Sequence, residues 1–297
     1  MSESVEILRR KIANAGTLGS VVRTMKTLAA INIRQYEAAV NALGDYYHNV
    51  ELGLAECLVG TEVRQTGYRN NEAKALLTIA VAFGSDQGLV GQFNEQLAET
   101  IRQKLLPRSN PSAVLSVGER IQLRLEEIGI RSENLFAVPN SVNAITPLVG
   151  DILSAVEHLR EKSSSIELLL FYNSPVSGEF YRSVSKRLLP LDEAWENEII
   201  KSGGVWPTRA KPEIIGGIET VQWALVREYL FVTLFRACAE SLASENASRL
   251  SAMQRAETNI DDLLEELSRL YNERRQAGID EELFDVVSGF QALNDRK

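Results

Sequence analysis

From Ile218 to Ala277 the chain contains neither proline nor glycine. These two residues most readily break a helix interior. Nothing local therefore stops one helix from running the whole stretch, about 90 Å at ~1.5 Å per residue. All eight prolines lie between Pro107 and Pro212, which leaves the N-terminal end open to a long helix as well. Few compact domains contain such elements. The middle carries most of the turn formers and several short apolar runs. The chain accordingly reads as an N-terminal helix over 1–60, a globular α/β segment over 61–215 and a C-terminal helix over 216–297.

Both ends carry a 3.5-residue apolar period, the pattern of a left-handed coiled coil. Alternating steps of three and four from Val5 pass through Leu8, Ile12, Ala15, Gly19, Val22, Lys26, Ala29, Ile33, Tyr36, Val40, Leu43, Tyr47, Val50, Leu54 and Cys57. Only Gly19 and Lys26 depart from a plausible seam. From Ile218 the same count meets Val221, Leu225, Val232, Phe235, Ala239, Leu242, Met253, Ala256, Ile260, Leu263, Leu267, Leu270 and Ala277, with Glu228, Asn246, Arg249 and Arg274 as polar intrusions. Two seams of similar length at opposite ends of one chain predict intramolecular antiparallel pairing. Each Leu, Ile or Val buried there contributes roughly 1.5–3 kcal/mol before entropy costs. A core formed by 61–215 is too small to cover both helices, so part of the pair is expected to project.

Composition closes off several functions. With 32 Lys+Arg against 40 Asp+Glu, the net charge is −8, a poor field for grasping nucleic acid. No apolar run approaches the roughly 18–20 residues that span a bilayer, and MSESVEILRRK lacks a signal-peptide h-region. A soluble protein in a reducing compartment is expected. Cys57 and Cys238 make no disulfide framework, and His48 and His158 are too few for a histidine-built metal site. No metal and no cofactor are expected.

In the middle, strands at 74–83, 113–117, 135–138 and 166–172 alternate with helices at 92–106, 119–128 and 147–160, which predicts a small parallel or mixed α/β layer. A further strand at 179–189 suits an edge. The turn Gly84–Gly91 between the first strand and its helix invites a phosphate. Its spacing is G-x-x-x-G-x-x-G, without the Walker lysine or the G-x-G-x-x-G pattern, so turn and packing roles are favoured. Asp86 has no evident catalytic partner, and no Ser-His-Asp or Cys-His arrangement can be assembled.

Five stretches, in three regions of the chain, resemble the gamma subunit of F-type ATP synthases. Near the start stand Leu8-Arg9-Arg10-Lys11-Ile12 and Met25-Lys26-Thr27-Leu28-Ala29-Ala30. The centre has Ser85-Asp86-Gln87-Gly88-Leu89-Val90-Gly91-Gln92-Phe93-Asn94. Toward the end come Leu242-Ala243-Ser244-Glu245-Asn246-Ala247-Ser248-Arg249-Leu250-Ser251-Ala252-Met253 and Tyr271-Asn272-Glu273-Arg274-Arg275-Gln276-Ala277-Gly278-Ile279. Two departures stand out: the family's usual Gly-Leu-Cys-Gly is Gly88-Leu89-Val90-Gly91 here, and the threonine common after Ile279 is Asp280. They resemble a divergent branch such as the alternate, N-type ATPases.

The resemblance implies a small Rossmann-like α/β domain inserted between two long helices that form an antiparallel coiled coil. It implies a rotating central stalk inside a hexamer of alternating alpha and beta subunits. The globular part would contact epsilon and the membrane ring of c subunits. ATP chemistry would belong to beta, with this chain peripheral to the cytoplasmic face of the plasma membrane. Residues placed against beta or the bearing are Met25, Lys26, Arg249, Arg275, Gln276, Glu282, Leu283 and Phe290. Past Gly278 the apolar period Ile279, Leu283, Val286, Phe290 and Leu293 suits a tip in an apolar bearing, or a helix folded back with Asp280 as its N-cap. The rival readings are a nucleotide-binding α/β enzyme with a coiled-coil arm, and a scaffold that dimerises through the rod.

Overall fold

The computed structural model describes residues 4–59, 77–108, 111–163, 165–176, 179–203, 206–208, 210 and 212–294, with the side chains of 59, 179–180, 203 and 289–294 left outside the description. Its elements alternate as foreseen. They are α1 (Val5–Ala42), α2 (Gly44–Val59), β1 (Leu77–Phe83), α3 (Phe93–Leu105), β2 (Ser112–Val117), α4 (Glu119–Glu127) and β3 (Ser132–Phe136). The order continues with α5 (Ile145–Glu161), β4 (Ile166–Val176), β5 (Glu179–Leu189), α6 (Glu193–Gly203) and α7 (Ile218–Asn294). The chain forms two compact units, Ala30–Arg249 and the paired ends Met1–Ala29 with Leu250–Lys297.

In the larger unit the sheet order is β3-β2-β1-β4-β5. The first four strands run parallel and β5 returns antiparallel on the edge. Strand alternation sorts the core into two clusters. Ile79, Val81 and Phe83 of β1 face α5, α6, α2 and the middle of α7. Ala80 and Ala82 face α3 and α4 through Leu97, Ile101, Ile121 and Leu125. Because both faces of the sheet are covered, its central strands are continuous apolar runs.

Two expectations are corrected here, and one helix is additional to the elements read from the sequence. The N-terminal helix is interrupted at Leu43, beside Gly44, a weak helix former. The backbone bond from Tyr47 N–H to Leu43 O (2.8 Å) carries the chain across the joint. Between Pro190 and Pro207 lies α6, which starts where Asp192 Oδ1 accepts from Trp195 N–H at 3.0 Å, a cap flanked by too many helix breakers to stand out. Beyond Gly278, α7 continues without a break to Asn294, so Asp280 caps nothing and there is no fold-back.

In the smaller unit α1 and α7 run antiparallel. Gly19 lies against Ile260, Lys26 pairs with Glu257, and Arg23 reaches Glu257 (3.3 Å) and Asp261 (3.9 Å). Leu8, Ala15, Gly19 and Ala29 are buried, as the heptad count requires. At Gly19 a Cβ would stand 3.4 Å from the Ile260 side chain, an ordinary packing distance, so close approach does not by itself require glycine there. The seam is locally disturbed after Ile260, although Leu267 stays in register and buried. Leu263 is 45% exposed and Leu264 is turned inward, because a 3.6-residue helix slips against a strict 3.5 repeat. From Asn272 to Ser288 every residue is exposed.

Candidate functional site

The chain leaves β1 toward β2 on one side and comes back to β4 on the other. In a doubly wound sheet this reversal opens a crevice outside the carboxyl ends of the two central strands, where ligands bind. The Gly84–Gly91 turn starts there, so this is where a phosphate cradle would form.

The chain places its own groups in the crevice, and an open cleft of about 320 Å³ remains beside the turn, lined by Gly88, Val90, Gly91, Asn94 and Arg120. Ser85 N–H donates to Asn94 Oδ1 at 3.1 Å, and Asn94 Nδ2 donates back to Ser85 Oγ at 2.9 Å. Asp86 accepts from Glu119 N–H and from Val138 N–H, both at 2.9 Å. It thereby ties the turn to the positive N-terminus of α4 and to the segment after β3. The glycines answer to packing. A Cβ on Gly84 would sit 2.3 Å from Ile121 Cβ, and Gly118, at φ 110°, passes 2.7 Å from the Ser85 carbonyl carbon by the same measure.

Across the same strand ends lies α7. Ser241 Oγ donates to Phe83 O at the end of β1 (2.9 Å), and Ser244 Oγ donates to Asn173 O in β4 (3.1 Å). Ser248 Oγ donates to Val90 O in the glycine-bearing turn. All three serines are buried. Asn173 is itself pinned, since its Nδ2 donates to Phe93 O (3.1 Å) and its Oδ1 accepts from Ser183 Oγ (2.6 Å). One turn earlier on α7, Glu240 accepts from Ser174 Oγ and Arg236 Nε, each at 2.8 Å. Burial and the neighbouring Glu240 push the Tyr172 phenol up to about 12. The heptad count missed these serines. Their signal was a polar stripe at i, i+3 and i+7 on an otherwise apolar helix.

Beyond the serines, Glu245 and Arg249 pair at 2.7 Å. They line a cleft of about 210 Å³ with Asn32, Tyr36, Asp86 and Asn246. Burial pushes the Glu245 carboxyl above the usual carboxylate range, the nearby Asp86 adds to this, and Arg249 opposes it. Asn32 Nδ2 donates to Asn246 Oδ1 at 3.3 Å, so the polar intrusion at 246 finds its partner across the seam.

The residues predicted to meet partner subunits fall into separate groups. Lys26 pairs with Glu257 and Arg249 with Glu245, both inside the chain. Met25 is half-buried. Arg275, Gln276, Glu282 and Leu283 lie on the exposed stretch of α7, and Leu283 is 61% exposed. The Phe290 side chain lies outside the described residues.

A sequence profile for the family described as ATP synthase matches residues 4–293. An ATP synthase gamma chain from Trichormus variabilis is 30% identical over 319 residues, covering 98% of this chain and 99% of that one. The chain belongs to the ATP synthase gamma family. A gamma chain from Glaesserella parasuis is 26% identical, with 96% of this chain and 98% of the relative covered. A sodium-ion-specific gamma chain from Acetobacterium woodii is 24% identical, with 99% and 100% covered. Among solved structures, the central stalk and c-ring of the Tetrahymena thermophila mitochondrial ATP synthase aligns with a TM-score of 0.57 at 20% identity, covering 80% of this chain and 99% of that one. The rotor of the Euglena gracilis enzyme aligns at 0.56 and 14% identity, covering 93% and 98%. These likenesses show a shared fold.

Within the gamma family, the Val90 departure is readily accommodated. Its side chain is a small buried hydrophobe, 3% exposed, and the group that matters to α7 is its carbonyl. Asp280 is exposed in mid-helix, where the hydroxyl of a threonine and a carboxylate are equally solvated.

Proposed function

We propose that this chain is the rotating central-stalk subunit of an F-type ATP synthase, coupling ion flow through a membrane c ring to ATP synthesis or hydrolysis. The observation that carries this reading is the occupied switch point. At the strand ends where an α/β enzyme would hold its nucleotide, Asn94 bonds the Ser85 backbone and the serines of α7 bond the strand carbonyls. That argues against the nucleotide-binding rival and for a mechanical role of the sheet and helices. Family membership supports the same conclusion.

The chain is non-catalytic, and catalysis resides in the beta subunits. Its partners are the alpha and beta subunits around the helix pair, with epsilon and the c ring at the α/β part. It acts as a peripheral subunit on the cytoplasmic face of the energy-coupling membrane. The functional division keeps the 1–60 and 216–297 helices as shaft and 61–215 as foot, with residues 30–59 and 218–249 of those helices packed into the sheet-bearing unit. The Val90 and Asp280 departures support placing it in a divergent branch of the alternate, N-type kind.

The mechanism is differential contact. One asymmetric helix pair inside a threefold ring meets three chemically identical beta subunits on three different faces. Each face biases a site between open and closed states only by its difference in contact free energy. Driving a site from 1:99 to 99:1 takes roughly 5.5 kcal/mol, more than one surface ion pair supplies. Several contacts must act together. Met25, Lys26 and Arg249, then Arg275, Gln276, Glu282, Leu283 and Phe290, are the residues proposed to make them. The exposed apolar run Ile279, Leu283, Phe284, Val286 and Val287 suits a bearing surface.

The test is co-purification from the native membrane with identification of the bound subunits, followed by charge reversal at Arg275. Recovery of alpha, beta, epsilon and c, with coupled ATP turnover reduced in the variant and assembly intact, is the expected result. Recovery of the chain alone, binding a nucleotide by isothermal titration, would sink the stalk assignment.

A further inference from the structure

Apolar packing is non-directional, so a helix held to a sheet by apolar side chains alone resists separation better than it resists turning about its own axis. Hydrogen bonds to fixed carbonyls are directional. On α7 the three hydroxyls of Ser241, Ser244 and Ser248 line one face over about 10 Å of helix. They meet carbonyls of three different segments: Phe83 at the end of β1, Asn173 in β4, and Val90 in the glycine-bearing turn.

Each of these carbonyls is held by the surrounding structure. Phe83 lies within the β1 ladder and Val90 accepts from Phe93 N–H (3.4 Å). Asn173 is gripped through its side chain by Phe93 O and Ser183 Oγ. A turn of α7 by about 30° would carry an oxygen about 4 Å from the helix axis through about 2 Å, out of hydrogen-bond reach. All three bonds would break together, leaving the buried serine hydroxyls without these partners. The burial of the serines at 3%, 0% and 7% exposure keeps water from replacing them.

We infer that Ser241, Ser244 and Ser248 are torque keys, positioning residues that lock α7 to the sheet against rotation about the helix axis. The inference rests on the stalk reading above. It adds where turning force passes between the helix and the α/β sheet: at the topological switch point, through three hydroxyls in a site other α/β proteins give to a ligand. Since α7 continues as one helix to Asn294, a stiff joint here is what lets the sheet follow the helix without lag.

The test uses the assembled complex, with the hexamer fixed to a surface and a bead attached through Glu133→Cys, an exposed position on β3. Angular fluctuation of the bead during ATP-waiting pauses reads the torsional stiffness between the hexamer and the sheet. The variant S241A/S244A/S248A is expected to widen the angular variance at least twofold and to lower ions pumped per ATP. Ile101→Ala, in the core cluster on the opposite face of the sheet, serves as a control for destabilisation and is expected to keep wild-type variance. Should the triple variant fail to assemble, S241A and S244A singly are expected to widen the variance by smaller, additive steps. Wild-type variance in the serine variants, or equal widening in Ile101→Ala, overturns the inference. A wild-type chain that does not rotate in the hexamer overturns the stalk reading instead.

Discussion

Asn94 closes on Ser85 from both directions: its Oδ1 accepts the Ser85 N–H at 3.1 Å and its Nδ2 donates to the Ser85 hydroxyl at 2.9 Å. Both residues are buried, so neither bond can be exchanged for water. Asn94→Ala removes the acceptor and the donor together and leaves the Ser85 N–H unpaired, at a cost of about 2–4 kcal/mol. The expected outcome is a matching drop in the urea midpoint at unchanged slope.

Gly84 passes so close to α4 that a methyl group would overlap Ile121, 2.3 Å away between Cβ atoms. Gly84→Ala is expected to destabilise the larger unit by roughly 2–4 kcal/mol through overpacking. Ile121→Ala alone leaves a cavity. Ile121→Ala retains the Cβ at 2.3 Å and removes only the Cγ2 at 2.5 Å, so the double variant is expected to recover only a small part of the summed loss. A double-mutant cycle by urea unfolding checks this; strict additivity would mean the backbone yields elsewhere.

Lys26 and Glu257 join the two helices, with Arg23 and Asp261 alongside. Both side chains of the pair keep some solvent access, so Lys26→Glu costs only about 1 kcal/mol of helix pairing. The charge swap with Glu257→Lys is expected to restore the unfolding midpoint. Coupled ATP turnover is expected to stay low in the swap, since a beta subunit facing position 26 still meets the wrong sign. Turnover that recovers along with stability would confine Lys26 to holding the helices in register.

Glu245 supplies a pH signature. Its carboxyl lies above the ordinary value of 4.5 because of burial, with Asp86 reinforcing the shift and Arg249 countering it. Tyr36 and Cys238 also face it, and both are raised first by burial and further by the Glu245 charge. A carboxyl raised on folding binds its proton more tightly in the folded chain. Its contribution is therefore fullest below 4.5 and is lost as pH rises from 4.5 through the higher folded value. Glu245→Gln removes that dependence. Urea midpoints between pH 4 and 8 are expected to fall for the native chain relative to the variant as pH rises; parallel curves would contradict the shift.

Where the pattern was repetitive, the sequence was informative. Leu8, Ala15, Ala29, Tyr36, Val50 and Leu54 are buried at the positions set by counting threes and fours, and the runs expected at 74–83 and 113–117 correspond to the central strands Leu77–Phe83 and Ser112–Val117, with 74–76 outside the described residues. What escaped depended on partners remote in sequence. Lys26 reads as a flaw in a stripe until Glu257, 231 positions away, is beside it. Asp86 looked like an orphan acid because its partners are backbone N–H groups at Glu119 and Val138, which no side-chain motif reveals. The break at Leu43 and the helix after Asp192 hinge on single local contacts, too small to alter periodicity or composition. Ser244 and Ser248 lie within the family motif and Ser241 just before it, yet the purpose of all three emerges only when the strand ends are laid against them.

The absence of proline and glycine from Ile218 to Ala277 has an elastic consequence. A kinked helix concentrates strain at its weak point and yields there first. Along α7 past the serine anchors, from Leu250 to Ala277, no such point exists, so wind-up there is shared by successive hydrogen-bonded turns in the manner of a uniform spring. Work stored during a catalytic pause is returned when the load is released, instead of being dissipated at a joint.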